Sequence, residues 1–217
     1  MNAKTYFIGG IATDGQLYRY QLEHIPNSVY LPFPRHDVYD TMETYVQKFI
    51  PLIDTSKPFN IAGCSMGGIM TMELLKHIHP EKVILISSVK CRKEMPWKLR
   101  QLKHTKLHRL FSGSMFIKSI EYGSRFIKEV NTTQHLREQI ISMAKNNSPD
   151  FLYWCVNAIV NWNSNSDYRK DIIHIHGTND KMFPIKNLKN VIPVEKGTHN
   201  MILSNPSYFT DFLLKTL

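Results

Sequence analysis

The chain has 217 residues, of which 42% are hydrophobic, 11% aromatic and 21% charged, and its 27 Lys and Arg against 18 Asp and Glu give a formal net charge of +9. That length suits one domain with room for an insertion, and the composition excludes a disordered chain, which would be poorer in aromatic and apolar residues. No run approaches the roughly 18 consecutive apolar residues of a membrane span.

The opening Met1-Asn2-Ala3-Lys4 leads straight into the apolar run Thr5–Ile8, which reads as a buried strand. A secretory signal would need an apolar core of about 7–15 residues with a small-residue cleavage site, and none is expected here. Gln16–His24 reads as a helix and Val29–Leu31 as a short strand. Tyr39–Ile53 places Met42, Tyr45, Val46, Phe49, Ile50 and Ile53 at helical spacing. Phe59–Ala62 is a strand, Gly67–His79 a helix and Lys82–Ile86 another strand. Ile172–His176 and Val191–Val194 are later strands, and Asn205-Pro206 opens a final helix with an N-cap and a first-turn proline. Continuous apolar strands alternating with helices indicate an α/β protein whose parallel sheet is buried on both faces.

The long interval between two of these strands, Val89 to Lys170, lacks strand signals and reads as helical throughout. Leu99, Leu102, Leu107, Leu110 and Phe111 share one helical stripe, Thr133–Lys145 forms a second helix, and Ser148-Pro149 caps a third. The expected organisation is therefore a core of residues 1–88 and 171–217 with a helical cap or lid over 89–170. The charge concentrates in this region: twelve Lys and Arg against three acids lie between Lys90 and Arg137.

Gly63-Cys64-Ser65-Met66-Gly67 sits between a strand and a helix, the context that a G-x-S-x-G nucleophile elbow requires. The glycines clear the space around a serine on a strained turn, and the helix N-terminus aims free N–H groups at a developing oxyanion. A serine needs a base and a group to orient that base. Asp180, in His176-Gly177-Thr178-Asn179-Asp180, and His199, in Lys196-Gly197-Thr198-His199-Asn200, each follow a strand at the end where ligands bind in open α/β sheets. Ser65, Asp180 and His199 are thus the candidate catalytic residues. The Met66 and Ile11 N–H groups are the candidate oxyanion donors, with Gly10 beside Ile11 in the glycine turn after the first strand.

These motifs resemble those of the α/β-hydrolase superfamily, in particular its small capped esterase- and thioesterase-like members. The resemblance spans the chain outside the insertion and rests on the G-C-S-M-G-G elbow, H-G-T-N-D and the late G-T-H. It implies a Ser65–His199–Asp180 triad, acyl-enzyme chemistry on an ester or thioester, and no cofactor. The chain begins at what would be the family's third strand, so about six strands are expected, in the order 2-1-3-4-5-6. The family's usual first-loop His-Gly is here Gly9-Gly10.

Other groups point elsewhere. His174 and His176 alternate along a strand without a third ligand at metal-binding spacing, so they read as buried histidines and no metal is expected. His36 and Asp40 fall one residue short of an acyltransferase H-x-x-x-x-D pattern. Cys64, Cys91 and Cys155 form neither a disulfide framework nor a metal set, which fits a reducing cytoplasm. Trp97, Trp154 and Trp162 are candidates to line an acyl pocket or to pack in the core. Lys98, Arg100, Lys103, Lys106 and Arg109 either attract an anionic carrier or a phospholipid headgroup or form a solvated helical face. Nucleic acid is not an expected partner, because no helix-turn-helix, zinc or RNP signature accompanies the basic segment. The alternative to an enzyme is a protein of the same fold that binds a ligand or partner without hydrolysing it.

Overall fold

The computed structural model describes residues 3–124, 134–164 and 171–217. In chain order the elements are β1 (Lys4–Ile8), α1 (Arg19–His24), β2 (Ser28–Tyr30), α2 (Met42–Tyr45), β3 (Phe59–Cys64), α3 (Met66–Leu74), β4 (Lys82–Ile86), α4 (Trp97–Thr105), α5 (Gly113–Ser124), α6 (Gln134–Lys145), α7 (Pro149–Asn161), β5 (Ile173–Gly177), β6 (Ile192–Val194), α8 (Met201–Ser204) and α9 (Pro206–Thr216). The six strands form one parallel sheet in the order β2-β1-β3-β4-β5-β6. Both the strand count and the order match the expectation from sequence.

Alternate residues of each central strand feed opposite faces. Tyr6, Ile8, Ile61, Val83 and Leu85 join one core with α2, α3 and α7. Phe7, Ala62, Ile84, Ile86 and Ile175 join the other, with α8 and α9. Burial on both faces explains why the central strands read as unbroken apolar runs. The first core also holds Phe151, Trp154, Cys155 and Ala158 of α7. Part of the segment between β4 and β5 is therefore built into the main core.

Three helices differ from the expected ones. The stretch after Thr41 starts as α2, with a reciprocal capping box between Thr41 and Thr44, but tightens to a 3₁₀ helix over Val46–Leu52. Pro51 lies inside that helix and has no N–H to donate, which removes an α-helical hydrogen bond. The stripe from Leu99 to Phe111 breaks at Lys106, whose φ of 56° ends α4. Leu107, Leu110 and Phe111 are then exposed, whereas Leu99 and Leu102 before the break are half-buried. Asn205 precedes α9 as expected, but its side chain makes no capping hydrogen bond. Thr133, the expected start of one helix, and Lys170, the expected end of the insertion, lie outside the described residues.

The helices between β4 and β5 pack closely. A Cβ added at Gly113, the first residue of α5, would stand 1.7 Å from the Pro149 carbonyl oxygen, whereas one at Gly123 would meet nothing within 4 Å. Gly113→Ala is expected to destabilise the protein by several kcal/mol, about 3 or more, because backbone must move. Gly123→Ala is expected to stabilise it by about 0.5–1 kcal/mol through the loss of unfolded-state freedom. Urea unfolding of both variants, followed by circular dichroism, checks the pair.

Candidate active site

Ser65 stands between β3 and α3 with φ 53° and ψ −118°. A non-glycine residue there costs roughly 1–3 kcal/mol, so its surroundings must hold it. The Ser65 N–H donates to the Ile86 carbonyl at 2.9 Å, and the Ser88 hydroxyl donates to the Ser65 carbonyl at 2.7 Å. The flanking glycines are sterically required. A Cβ at Gly63 would lie 2.3 Å from the Gly67 carbonyl oxygen, and one at Gly67 would lie 2.2 Å from that of Ile8.

Asp180 and His199 arrive on loops after β5 and β6. These loops are locked together by backbone: Asn179 N–H donates to Gly197 O at 2.8 Å and Thr178 N–H to Val194 O at 3.0 Å. A Cβ at Gly177 would fall 2.2 Å from Gly197 O, so only glycine permits this approach.

The three side chains meet in one line. His199 Nε2 lies 2.9 Å from Ser65 Oγ, and His199 Nδ1 lies 2.8 Å from Asp180 Oδ2. With the proton on Nδ1, that nitrogen donates to the carboxylate and Nε2 accepts from the serine hydroxyl. Asp180 is buried, and its Oδ1 accepts the N–H groups of Met182 at 2.8 Å and Phe183 at 2.9 Å. Burial alone would raise the Asp180 carboxyl. Hydrogen bonds from His176 and His199, the His199 charge and the Phe183 N–H outweigh it and hold the group well below the usual carboxylate range.

His176 was expected only as a buried strand histidine. It is buried, and its Nε2 lies 2.7 Å from the Phe183 carbonyl oxygen and 3.2 Å from Asp180 Oδ2. It thus braces the Asp180 loop, a role that no spacing rule identifies because it depends on where residue 183 folds back. Burial, followed by the neighbouring His176 and Lys90, pushes His174 down to about 3. No group of three or more His, Cys, Asp or Glu among the described residues is arranged to hold a metal ion. Burial, then Asp180, pushes the Cys64 thiol up to about 12, which leaves it a packing residue.

Gly10 abuts the serine, since a Cβ there would lie 3.1 Å from Ser65 Cβ. The Thr13 hydroxyl donates to the Gly10 carbonyl at 2.8 Å. In a trans peptide the N–H points opposite to the carbonyl, so this bond turns the Ile11 N–H away from Thr13. Among the described residues neither the Ile11 nor the Met66 N–H has an acceptor, which leaves both available to a ligand.

Ser65 and His199 open into a cavity of about 1250 Å³. Its wall is mainly apolar, with Leu99 and Leu102 of α4, Phe116 and Ile120 of α5, and Val156 and Ile159 of α7. The three tryptophans do not line it, which corrects the expectation from sequence. Trp97 is exposed at the start of α4. The Trp154 indole donates to the Asp40 carbonyl at 2.9 Å and packs on Tyr45 and Phe151. The Trp162 indole donates to buried Glu73 at 2.7 Å. Each buried indole had to satisfy its N–H inside the core, and that decided its position. The smaller aliphatic residues that do form the wall carry no signal separating them from core residues. The basic side chains of α4 and the turn after it are also absent from the wall, whose one Lys or Arg among the described residues is Lys181. His36 stacks near Phe151 and Trp154, while Asp40 pairs with Lys48, so the His36 and Asp40 pattern belongs to a loop.

No protein-family model matches the sequence, and no curated protein matches it. Solved structures do match. A carboxylesterase from the thaumarchaeon Nitrososphaera gargenis superposes with a TM-score of 0.75 at 14% identity, covering 99% of this chain and 89% of that one. MenH from S. aureus gives 0.73 at 14% identity, covering 99% and 93%. A thermophilic esterase from Thermogutta terrifontis gives 0.71 at 13% identity, covering 100% and 89%. The strand order, the strained serine between β3 and α3 and these likenesses agree: the chain has the α/β-hydrolase fold.

Proposed function

We propose that the protein is a serine hydrolase acting on esters or thioesters through an acyl-enzyme intermediate on Ser65. The reading rests on one observation: Ser65, His199 and Asp180 are hydrogen-bonded in series at 2.9 and 2.8 Å, at the mouth of an apolar cavity. Catalysts in the solved structures it resembles include proteins described as esterases and a carboxylesterase, which supports the same reaction class. The helices over residues 89–170 act as a cap whose inner side receives the acyl chain. The cytoplasm is the proposed compartment, where the three free thiols stay reduced.

His199 Nε2 takes the hydroxyl proton as Ser65 Oγ attacks the carbonyl carbon. Asp180 holds the imidazole tautomer and stabilises its positive charge. The Met66 and Ile11 N–H groups bind the tetrahedral oxyanion, each worth about 3 kcal/mol. As the tetrahedral adduct collapses, the bond from carbonyl carbon to leaving group breaks, and the alcohol or thiol departs with the proton from His199. Water then repeats the sequence on the acyl-enzyme, releasing the acid and restoring Ser65.

A fluorophosphonate probe is expected to label the wild-type protein at Ser65 and to leave Ser65→Ala unlabelled. Hydrolysis of p-nitrophenyl esters is expected to fall at least about 10³-fold in Ser65→Ala and about 10⁴-fold in Asp180→Asn, where the imidazole loses its orienting carboxylate. Turnover by Ser65→Ala at the wild-type rate ends the proposal. Labelling without turnover of any ester or thioester favours the non-catalytic binder of the same fold.

The cavity wall sets chain length. Ile120→Trp is expected to lower kcat/KM for octanoyl esters by roughly tenfold while leaving acetyl esters within about twofold, since an added ring occupies acyl space and not the reacting centre. A p-nitrophenyl ester series of increasing length measures this.

The carboxyl of Asp180 is held below its ordinary value, so it stabilises the fold above the unfolded carboxylate range, and that contribution is lost as pH falls through the lower folded value. The stability gap between wild type and Asp180→Asn is therefore expected to be constant from neutral pH down to about pH 5 and to shrink only below the ordinary carboxylate pKa of about 4. Urea midpoints at a series of pH values test the sign.

A further inference from the structure

Trp97 to Tyr122, running from α4 through the following turn to the end of α5, is two-sided. Its inner side chains line the cavity at Ser65. Its outer side holds an unusual share of exposed apolar surface. Of fifteen large hydrophobic side chains exposed among the described residues, six lie in these 26 positions: Trp97, Leu107, Leu110, Phe111, Met115 and Tyr122. Scattered exposed hydrophobics need no explanation, but a concentration of them marks an interaction surface.

Four of the six fall within the nine residues 107–115. Leu107 and Leu110 are three apart in a 3₁₀ turn and so share a face, with Leu110 73% exposed. Phe111, 58% exposed, and Met115 follow at the start of α5. The knuckle is pinned from beneath by His108, the one buried residue of its 3₁₀ turn. Its ring nitrogens lie 3.2 Å from the Leu102 carbonyl oxygen and 3.2 Å from Asn157 Oδ1 of α7. The apolar side chains are thus held outward by a buried anchor.

The surrounding charge has one sign. Lys98, Arg100, Lys103, Lys106, Arg109 and Lys118 share the segment with a single acid, Glu121, which is itself bonded to Lys145 at 2.6 Å. None of these six cations lines the cavity, so they are not placed to hold an anionic group beside Ser65.

We propose that this outer face docks on an anionic lipid bilayer, with Leu107, Leu110, Phe111 and Met115 entering the boundary between headgroups and acyl chains while the surrounding Lys and Arg meet lipid phosphates. Apolar anchors in a basic rim are what an interfacial segment needs. A protein partner fits less well, because lysine is depleted at protein interfaces, and four of the six cations are lysines. Continuity between the docked face and the cavity wall also favours lipid, since an acyl chain leaving the bilayer passes from one side of the same elements to the other. Only this last point depends on the hydrolase reading; docking itself does not.

Flotation with vesicles tests the proposal, using pure phosphatidylcholine and phosphatidylcholine containing phosphatidylglycerol. The wild-type protein is expected to float with the anionic vesicles, to be released by high salt, and to leave the zwitterionic ones unbound. Leu110→Ser with Phe111→Ser, and separately Arg109→Glu with Lys118→Glu, are each expected to weaken partitioning by roughly tenfold or more. Unchanged circular dichroism and fluorophosphonate labelling show that these variants remain folded. Ser65→Ala is expected to float like wild type; wild-type protein that floats but hydrolyses no ester or thioester sinks the proposed activity and leaves this inference standing. Failure to float with either vesicle, equal flotation with both, or retention of full binding by the two double variants overturns it. Binding to a soluble acidic acyl carrier protein but not to anionic vesicles overturns it in favour of a protein partner.

Discussion

Two glycine backbones in contact set the geometry on which the candidate site depends. Gly177 ends β5 and Gly197 follows β6, and no side chain fits between them. Their approach brings together two loops that leave the sheet at neighbouring strands, and the hydrogen bonds from Thr178 and Asn179 then fix their register. Asp180 lies three residues beyond one glycine and His199 two beyond the other. Each loop has little length in which to wander, so the imidazole and carboxylate meet with hardly any further ordering cost. The carboxylate completes the arrangement: two backbone N–H groups take one oxygen, and His199 and His176 approach the other. A buried charge is tolerable only when it is solvated by such fixed donors, and the same donors give it one orientation.

Strain is concentrated on the opposite partner. Ser65 occupies a left-handed backbone conformation that costs energy, while Asp180 sits in a fully bonded turn. The cost at Ser65 is offset by the packing of β3 and α3, every residue of which is buried. A serine raised on such a turn presents its side chain to the cavity while its backbone remains part of the core. The glycines at 63 and 67 are a consequence of this arrangement, since each lies within van der Waals overlap of carbonyl groups that cannot move without disturbing β1 or α3.

Much of this was legible in the residues. The central strands are recognisable because burial on both faces demands unbroken apolar runs, and the elbow because a strained turn admits few residues beside it. Ser65, Asp180 and His199 stand out because their chemistry falls at strand ends. What escaped was set by contacts distant in the chain. Whether Trp154 and Trp162 line the cavity or pack in the core is decided by the acceptors that satisfy their N–H groups, Asp40 and Glu73, more than 80 positions away. The bracing role of His176 depends on the fold-back of Phe183. The break of the Leu99–Phe111 stripe at Lys106 is the most instructive case. A helical period continues through residue 111, but a left-handed residue interrupts the helix, and the later apolar residues are exposed where the earlier ones are half-buried.

That break separates two properties which the basic segment seemed to combine. Leu99 and Leu102, before the break, line the cavity at Ser65, whereas Leu107, Leu110 and Phe111, after it, are exposed in a segment rich in Lys and Arg. The cavity wall, carrying one lysine and many aliphatic groups, is suited to an acyl chain and poorly suited to a phosphate. Positive charge placed outside such a wall is screened by salt, and a surface of many anions holds it better than one small anion does. An apolar cavity wall and a basic, apolar-studded exterior thus come from the same run of short helices, with the break at Lys106 between their two groups of leucines.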